Sequence, residues 1–203
     1  MSARKKRVSD LTPIKEASEE DESDHFWSNS TYVKNMFIMV FDWTFIIFSM
    51  YLLSFLVKYL PGDKYFNLLM MAIADVAPSM LSGVFMIFLS RKNAMIFLPL
   101  FMVLMVPVYY YFKASDLISM GLILVIRFAM TLHYTFVNYA VYEFFPPTHL
   151  TFVFGIANIV SGLFTIAAPI AVEVLSDPFL LVLGAGTMAA FVSLFLKPVH
   201  IHN

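Results

Sequence analysis

Among the ionisable side chains in or at the ends of the long apolar runs of this chain are Asp42, Asp75, Arg127, His133, Glu143 and Glu173. An ionised group at mid-bilayer costs about 2.5–3.5 kcal/mol even on insertion scales, so each needs an energetic reason to be there. Arg127, Thr131, Tyr134 and Asn138 recur at helical intervals and share one face. Asn67, Asp75, Ser79 and Ser82 form a second stripe, and Asn158, Ser161 and Thr165 a third. The chemistry open to such stripes is recognition. A guanidinium takes an anionic group, a carboxylate takes a cationic one, and amides and phenols supply hydrogen bonds. Trp43, Tyr134, Tyr139 and Tyr142 add rings on which an organic cation can stack. The candidate solute contacts are Arg127, Asp75, Tyr134, Asn138, Asn158 and Asp42.

Polar stripes on spanning helices also serve as interhelical glue, and that reading is preferred for Thr131, Ser79, Ser82 and Ser161. For Arg127 and Asp75, which stand at similar depth, the structural alternative is a silent buried salt bridge. His133 reads first as a hydrogen-bonded interior histidine and second as a proton relay. Covalent chemistry finds little support. The chain has no cysteine, hence no disulfide, thiolate metal site or thiol nucleophile. No nucleophile and base can be assembled from the apolar runs, so no catalytic residue is expected and the chain is not read as an enzyme. His200 and His202 offer too few ligands for a metal. No Gly-x-x-x-x-Gly-Lys-Ser/Thr loop is present to hold a nucleotide, and no cofactor is expected. A net charge of −1 gives no field to recruit nucleic acid.

These residues sit in a sequence that is 60% hydrophobic and 13% charged, with 22 phenylalanines in 203 residues. Soluble domains are about a quarter charged, so there is not enough polar surface here to cover a globule in water. Apolar runs occupy 35–57, 65–89, 94–112, 117–141, 148–175 and 178–196. A helix of about 20 residues crosses a hydrocarbon core, and each run suffices. Apolar/polar alternation is missing, which excludes a β-barrel. The expected fold is an all-α membrane protein with six transmembrane helices. Short polar links make neighbours antiparallel. "GAGTMAA" at 184–190 holds small residues that let helices approach closely.

Residues 1–33, with "ARKKR" followed by "EASEEDESD", read as a solvated, disordered tail rather than a targeting segment. Residues 34–198 form the membrane domain and 199–203 a short tail. With the N-terminus cytoplasmic, that side holds Arg4, Lys5, Lys6, Arg7, Lys15, Lys34, Arg91, Lys92 and Lys197, while the other holds Lys58, Lys64 and Lys113. This asymmetry predicts both termini in the cytoplasm, in a membrane the sequence does not specify. The third and sixth runs contain no ionisable residue, which predicts that they face lipid while the other four face each other or a wet cavity.

"VYEFFPPTHL" at 141–150 ends one apolar run and opens the next. Glu143, Phe144, Phe145 and Pro146, with Thr148 close behind, resemble the Glu-x-x-Pro-Thr link between the tenth and eleventh helices of the major facilitator superfamily. The similarity is to its organic cation and anion transporters and their sugar-porter relatives. "FTIAAPIA" with Pro169 resembles the end of the eleventh helix, and Arg127 falls sixteen residues before Glu143, where the tenth helix often carries an arginine. "YLPGDKYFNLLMMAIADVAPSML" at 59–81 is similar to the passage from the seventh to the eighth helix. The resemblance covers 34–198 and implies the C-terminal half of such a transporter, a six-helix unit built as a three-plus-three inverted repeat. It further implies that Glu143 belongs to a charge network at the cytoplasmic gate. The family's Asp-Arg-x-Gly-Arg-Arg loop is reduced here to "SRKN", leaving Arg91 and Lys92. Its arginine after the Pro-Thr falls on Leu150. Where cation transporters carry an aspartate in the eleventh helix, this chain has Gly162.

The resemblance therefore implies transport of a small organic solute by alternating access. The partners implied are the bilayer and a second six-helix half: another chain, a second copy or an upstream region. The alternative, favoured by the reduced loop and Leu150, is a non-transporting subunit of a larger membrane complex.

Overall fold

The computed structural model describes residues 26–197 except 28, 61, 62, 113 and 114. Of the expected disordered tail over 1–33, residues 1–25 and 28 lie outside the described residues, as do Lys113 and the C-terminal tail with His200 and His202, whereas Ser30–Val33 already belong to the first helix and Phe26 is buried. Helix α1 spans Ser30–Leu56 and tightens into a 3-10 turn at Val57–Tyr59. Then come α2 (Lys64–Phe88), α3 (Arg91–Phe112) and α4 (Asp116–Phe144). After a 3-10 turn at Pro147–His149 follow α5 (Leu150–Thr165), α6 (Ala167–Val174) and α7 (Phe179–Ser193). No strand occurs among the described residues, as the missing alternation requires.

Local chemistry sets the ends. Asn29 caps α1, its side-chain oxygen accepting from the Thr31 amide at 2.9 Å. Asp63 caps α2 and accepts from both the Tyr65 and Phe66 amides at 2.8 Å. These are first-turn donors that no helical carbonyl can reach. Helix α4 stops where Phe145 turns to extended backbone (φ −133°, ψ 144°), the conformation that a following proline demands.

Two spans depart from expectation. The fifth apolar run is divided: Pro169 has no N–H for the Thr165 carbonyl four residues back, so the ladder opens between α5 and α6. Ile166 keeps helical dihedrals, and the pair still forms one apolar path over Pro147–Val174. The sixth run yields a regular helix of only 15 residues, about 22 Å long at ~1.5 Å per residue. Tighter turns at Asp177–Leu181 and Phe191–Leu196 lengthen it at both ends. Five helices among the described residues are long and apolar enough to cross a membrane, and α7 is the shorter sixth.

Helices α1 and α4 form the centre. α1 packs on α4, α5, α6 and α7; α4 packs on α1, α2 and α3; and α3 packs on α7. These principal contacts are unchanged when α1, α2 and α3 are exchanged with α4, α5–α6 and α7. The main core lies along this seam, with Ile46, Leu52, Met102, Val106, Ile126 and Val182 fully enclosed. Gly186 on α7 lies where three helices converge. A Cβ added there would meet Val103 Cγ2 at 2.9 Å and Phe45 Cζ at 3.2 Å, whereas one at Gly184 would meet nothing. Close packing through "GAGTMAA" is thus carried by one glycine of the two.

The third and sixth spans, expected to face lipid, carry exposed apolar residues such as Leu104 and Phe191 but also a packed side. α3 and α7 form the back of the core, packed on each other and on α4 and α1. The least buried spans are α2 and α5–α6, with 22% and 17% of their most apolar windows enclosed. An uncharged helix suits an apolar protein core as well as it suits lipid, so lack of charge does not separate the two.

Candidate functional site

The first polar cluster lies where α4 meets α2 and α1. Arg127 is buried, and its Nε and Nη2 donate to the two oxygens of Asp75 at 2.6 and 2.8 Å. Its Nη1 donates to the Met50 carbonyl at 2.7 Å and to Ser54 Oγ at 3.1 Å. Thr131, one turn along α4, donates to Asp75 Oδ1 at 2.8 Å. Four of the five guanidinium N–H groups thereby meet an acceptor. The Arg127 side chain is 9% exposed and that of Asp75 34%, so Asp75 is the more open member of the pair. The helical stripe expected on α4 is confirmed in its first two members, and Met50 and Ser54 are added from α1. Only the Ser54 side chain had a sequence signal, a hydroxyl in an apolar run.

The second cluster is sealed within the bundle. Asp42 on α1 and His133 on α4 are both fully buried, with Asp42 Oδ1 3.7 Å from His133 Nε2. Ser193 of α7, also buried, donates to Asp42 Oδ2 at 2.7 Å. Asp42 Oδ1 and both ring nitrogens of His133 have no hydrogen-bond partner. Asp42 therefore does not join Arg127 and Asp75 in one cavity; it belongs with His133. Ser193 was missed because nothing distinguishes one serine in an apolar run until its helix phase is known.

The remaining candidates scatter. Tyr134 packs edge-on against Trp43 at 5.9 Å between ring centroids. Asn138 and Asn158 each donate to the carbonyl one turn back on their own helix, at 2.8 Å. Tyr139 and Tyr142 are exposed. Among the described residues, no group of three histidine or acidic side chains is placed to hold a metal.

Both ends of the bundle are tied. At the end shared by the start of α1 and the close of α7, Arg91 Nη1 donates to Glu143 at 2.7 Å. Lys92 Nζ donates to the Leu196 carbonyl, also at 2.7 Å. Asn35 and the Lys197 backbone exchange two hydrogen bonds, at 2.8 and 3.3 Å. The three residues named for a gate thus meet on this side, although Lys92 binds backbone and not Glu143. At the other end Glu173 takes Lys58 and the Tyr59 hydroxyl. A polar cavity of ≈350 Å³ there is lined by Tyr59, Tyr110, Glu173 and Asp177 among others. Two apolar clefts, of ≈450 Å³ between α2, α3 and α4 and ≈580 Å³ between α1, α5 and α7, occupy positions related by the same exchange of triplets.

No protein-family model matches the chain, and no curated protein matches it.

Proposed function

We propose that this chain is one half of a major facilitator-type transporter and moves a small organic solute together with a second six-helix half. The observation that carries the reading is the exchange relation among helix contacts, with a charged pair set where α4, α2 and α1 meet. A three-plus-three inverted repeat produces such a relation, and transporters built this way bind solute near mid-membrane between halves. Asp75, the more open member of the pair, offers the first contact for a cationic group. Tyr134 and Asn138 lie further along α4, the helix of Arg127. Glu143, Arg91 and Lys92 brace the end that the distribution of basic residues places in the cytoplasm.

A second reading has an observation of its own. Arg127 is almost fully engaged by Asp75, Met50 and Ser54, which is also what a purely architectural charge pair needs. On that reading the chain is a non-transporting subunit of a membrane complex.

One experiment separates them. The protein is extracted from its native membrane in gentle detergent, and the mass of the assembly and of this subunit is measured. The same material is reconstituted into vesicles and tested for uptake of tetraethylammonium, benzoate and glucose. The neutral double variant Asp75→Asn/Arg127→Gln is carried alongside. A transporter half takes up at least one probe and loses that uptake in the variant with its assembly intact. Absence of uptake in the wild-type assembly, with the variant released from its complex, establishes the subunit reading.

A further inference from the structure

The buried Asp42–His133 pair is not explained by solute contact, since both side chains are fully buried and neither lines the three cavities described above. Its polar atoms are also incompletely matched. Ser193 supplies the one hydrogen bond to Asp42, and three atoms of the pair stand without partners. A separation of 3.7 Å is too long for a hydrogen bond, so the two groups face each other without closing. An ionised carboxylate in an apolar core with a single donor is costly, and so is a buried imidazole N–H without an acceptor.

One proton resolves the charge problem. Added to the imidazole, it makes the ring a cation opposite the carboxylate, with the Nε2 N–H facing Asp42 Oδ1, while the Nδ1 N–H still lacks an acceptor. The site passes from net −1 to neutral, and the proton comes from water and returns to it. No other charge competes for the role. Between Asp42 and Lys58, α1 carries no charged residue. α7 carries none between Asp177 and Lys197, α5 has none, and α3 has only tyrosines after Lys92. On α6 the sole charge is Glu173, held by Lys58 at the far end. On α2 the charged residue inside the span is Asp75, closed by Arg127. Arg127 itself lies six residues from His133, about 9 Å along the axis of α4. Tyr134 is turned to Trp43, and the ring beside His133 is the apolar Phe45, 6.3 Å away.

We propose that Asp42 and His133 form a binding site for one exchangeable proton, held where α1, α4 and α7 meet, and that this proton is the coupling ion of the transport described above. Its role in coupling rests on that reading, whereas its existence as a proton site does not. Loss of the proton leaves a carboxylate with one donor, Ser193, and no counter-charge inside the packing of α1 against α4 and α7. Release is therefore tied to a rearrangement that lets water reach the site. Helices with buried, conditionally paired charge are the bistable elements that coupled transporters need.

The test follows the histidine directly. The full chain, labelled with ¹⁵N-histidine, is placed in lipid vesicles, and its imidazole resonances are followed from about pH 4 to about pH 9, the range that brackets histidine ionisation. His133 is identified by the signal lost in His133→Gln. If that variant does not fold, replacement of His25, His149, His200 and His202 leaves His133 as the one labelled ring. A single reversible step is expected in the wild type, and Asp42→Asn alters it, because the opposing group is gone. A ring that stays in one state at every pH, or a step indifferent to Asp42→Asn, overturns the site. A second arm imposes a pH gradient across vesicles during uptake of the probes. Uptake that ignores the gradient removes the coupling role and leaves transport standing. Absence of uptake removes the transport reading and the coupling role with it, and leaves the titration to decide whether the proton site exists.

Discussion

Arg127 and Asp75 meet fork to fork across α4 and α2, with both carboxylate oxygens accepting, at 2.6 and 2.8 Å. Such parallel bonds fix the rotation of one helix against the other as well as neutralising two charges. The same guanidinium reaches back to the Met50 carbonyl on α1. Three helices are thereby held by one side chain.

The consequence for stability is asymmetric. Asp75→Asn leaves a buried guanidinium without a counter-charge and should destabilise the protein by about 3–5 kcal/mol, the cost typical of breaking such a pair from one side. Replacing both members, as in Asp75→Leu/Arg127→Met, should recover most of that loss, since apolar side chains suit the site. Thermal unfolding in detergent of the wild type, the single and the double variant measures this. A double variant no more stable than the single one would show that the charges themselves hold the three helices.

Much of the architecture could be read before any coordinates. The spans were legible because an apolar run of membrane width, bounded by "PGDK", "SRKN" or "FFPP", has few alternatives to a helix. The Arg127–Asp75 pair was legible because a charge in an apolar span needs a partner, and few others were at the right depth. Helix phase was not legible on α1. That helix is apolar on every side, so nothing in its sequence says that Asp42 turns toward His133 and not toward Asp75. Burial of α3 and α7 was illegible for a related reason: Leu, Met, Val and Phe satisfy a protein core and a lipid tail alike. The break at Ile166 was not separable in advance either, because Pro78, Pro99 and Pro107 also lack an N–H and yet lie inside continuous helices.

Gly186 and Gly184 lie one residue apart from a shared neighbour and should respond in opposite ways. A side chain at Gly186 enters the space of Val103 and Phe45, while one at Gly184 enters none. Gly186→Leu should cost about 1–3 kcal/mol or more through overpacking, whereas Gly184→Leu should be nearly neutral. Expression level and detergent melting temperature of the two variants provide the comparison. Equal tolerance of both would mean that α7 does not sit this closely on α1 and α3.

The Arg91–Glu143 bridge makes the contrary kind of prediction. Its side chains are 45% and 37% exposed, and an ion pair so open to water contributes about 0–1 kcal/mol. Glu143→Gln should therefore leave the melting temperature close to that of the wild type. If the bridge braces a gate, the same substitution should alter the rate of probe uptake in vesicles while stability holds. A large loss of stability instead would make Glu143 a folding residue.

Asn35 offers the sharpest test of how the start of α1 is joined to the segment that follows α7. Its side chain is buried, donates to the Lys197 carbonyl at 2.8 Å and accepts from the Lys197 amide at 3.3 Å. This reciprocal pairing substitutes for the helical partners that a chain leaving α7 no longer has. Lys92 holds the adjacent Leu196 carbonyl from α3, so α1 and α3 grip the same backbone from two sides. Asn35→Ala strands both backbone groups and should cost about 1–3 kcal/mol. The opening should be local, because the core between Asp42 and Leu53 is untouched. Hydrogen exchange is the direct measurement: amides of 193–197 should exchange faster in Asn35→Ala, while those around Ile126 and Met130 keep their protection. Uniform loss of protection across the bundle would mean that this contact supports the whole fold and not just its terminus.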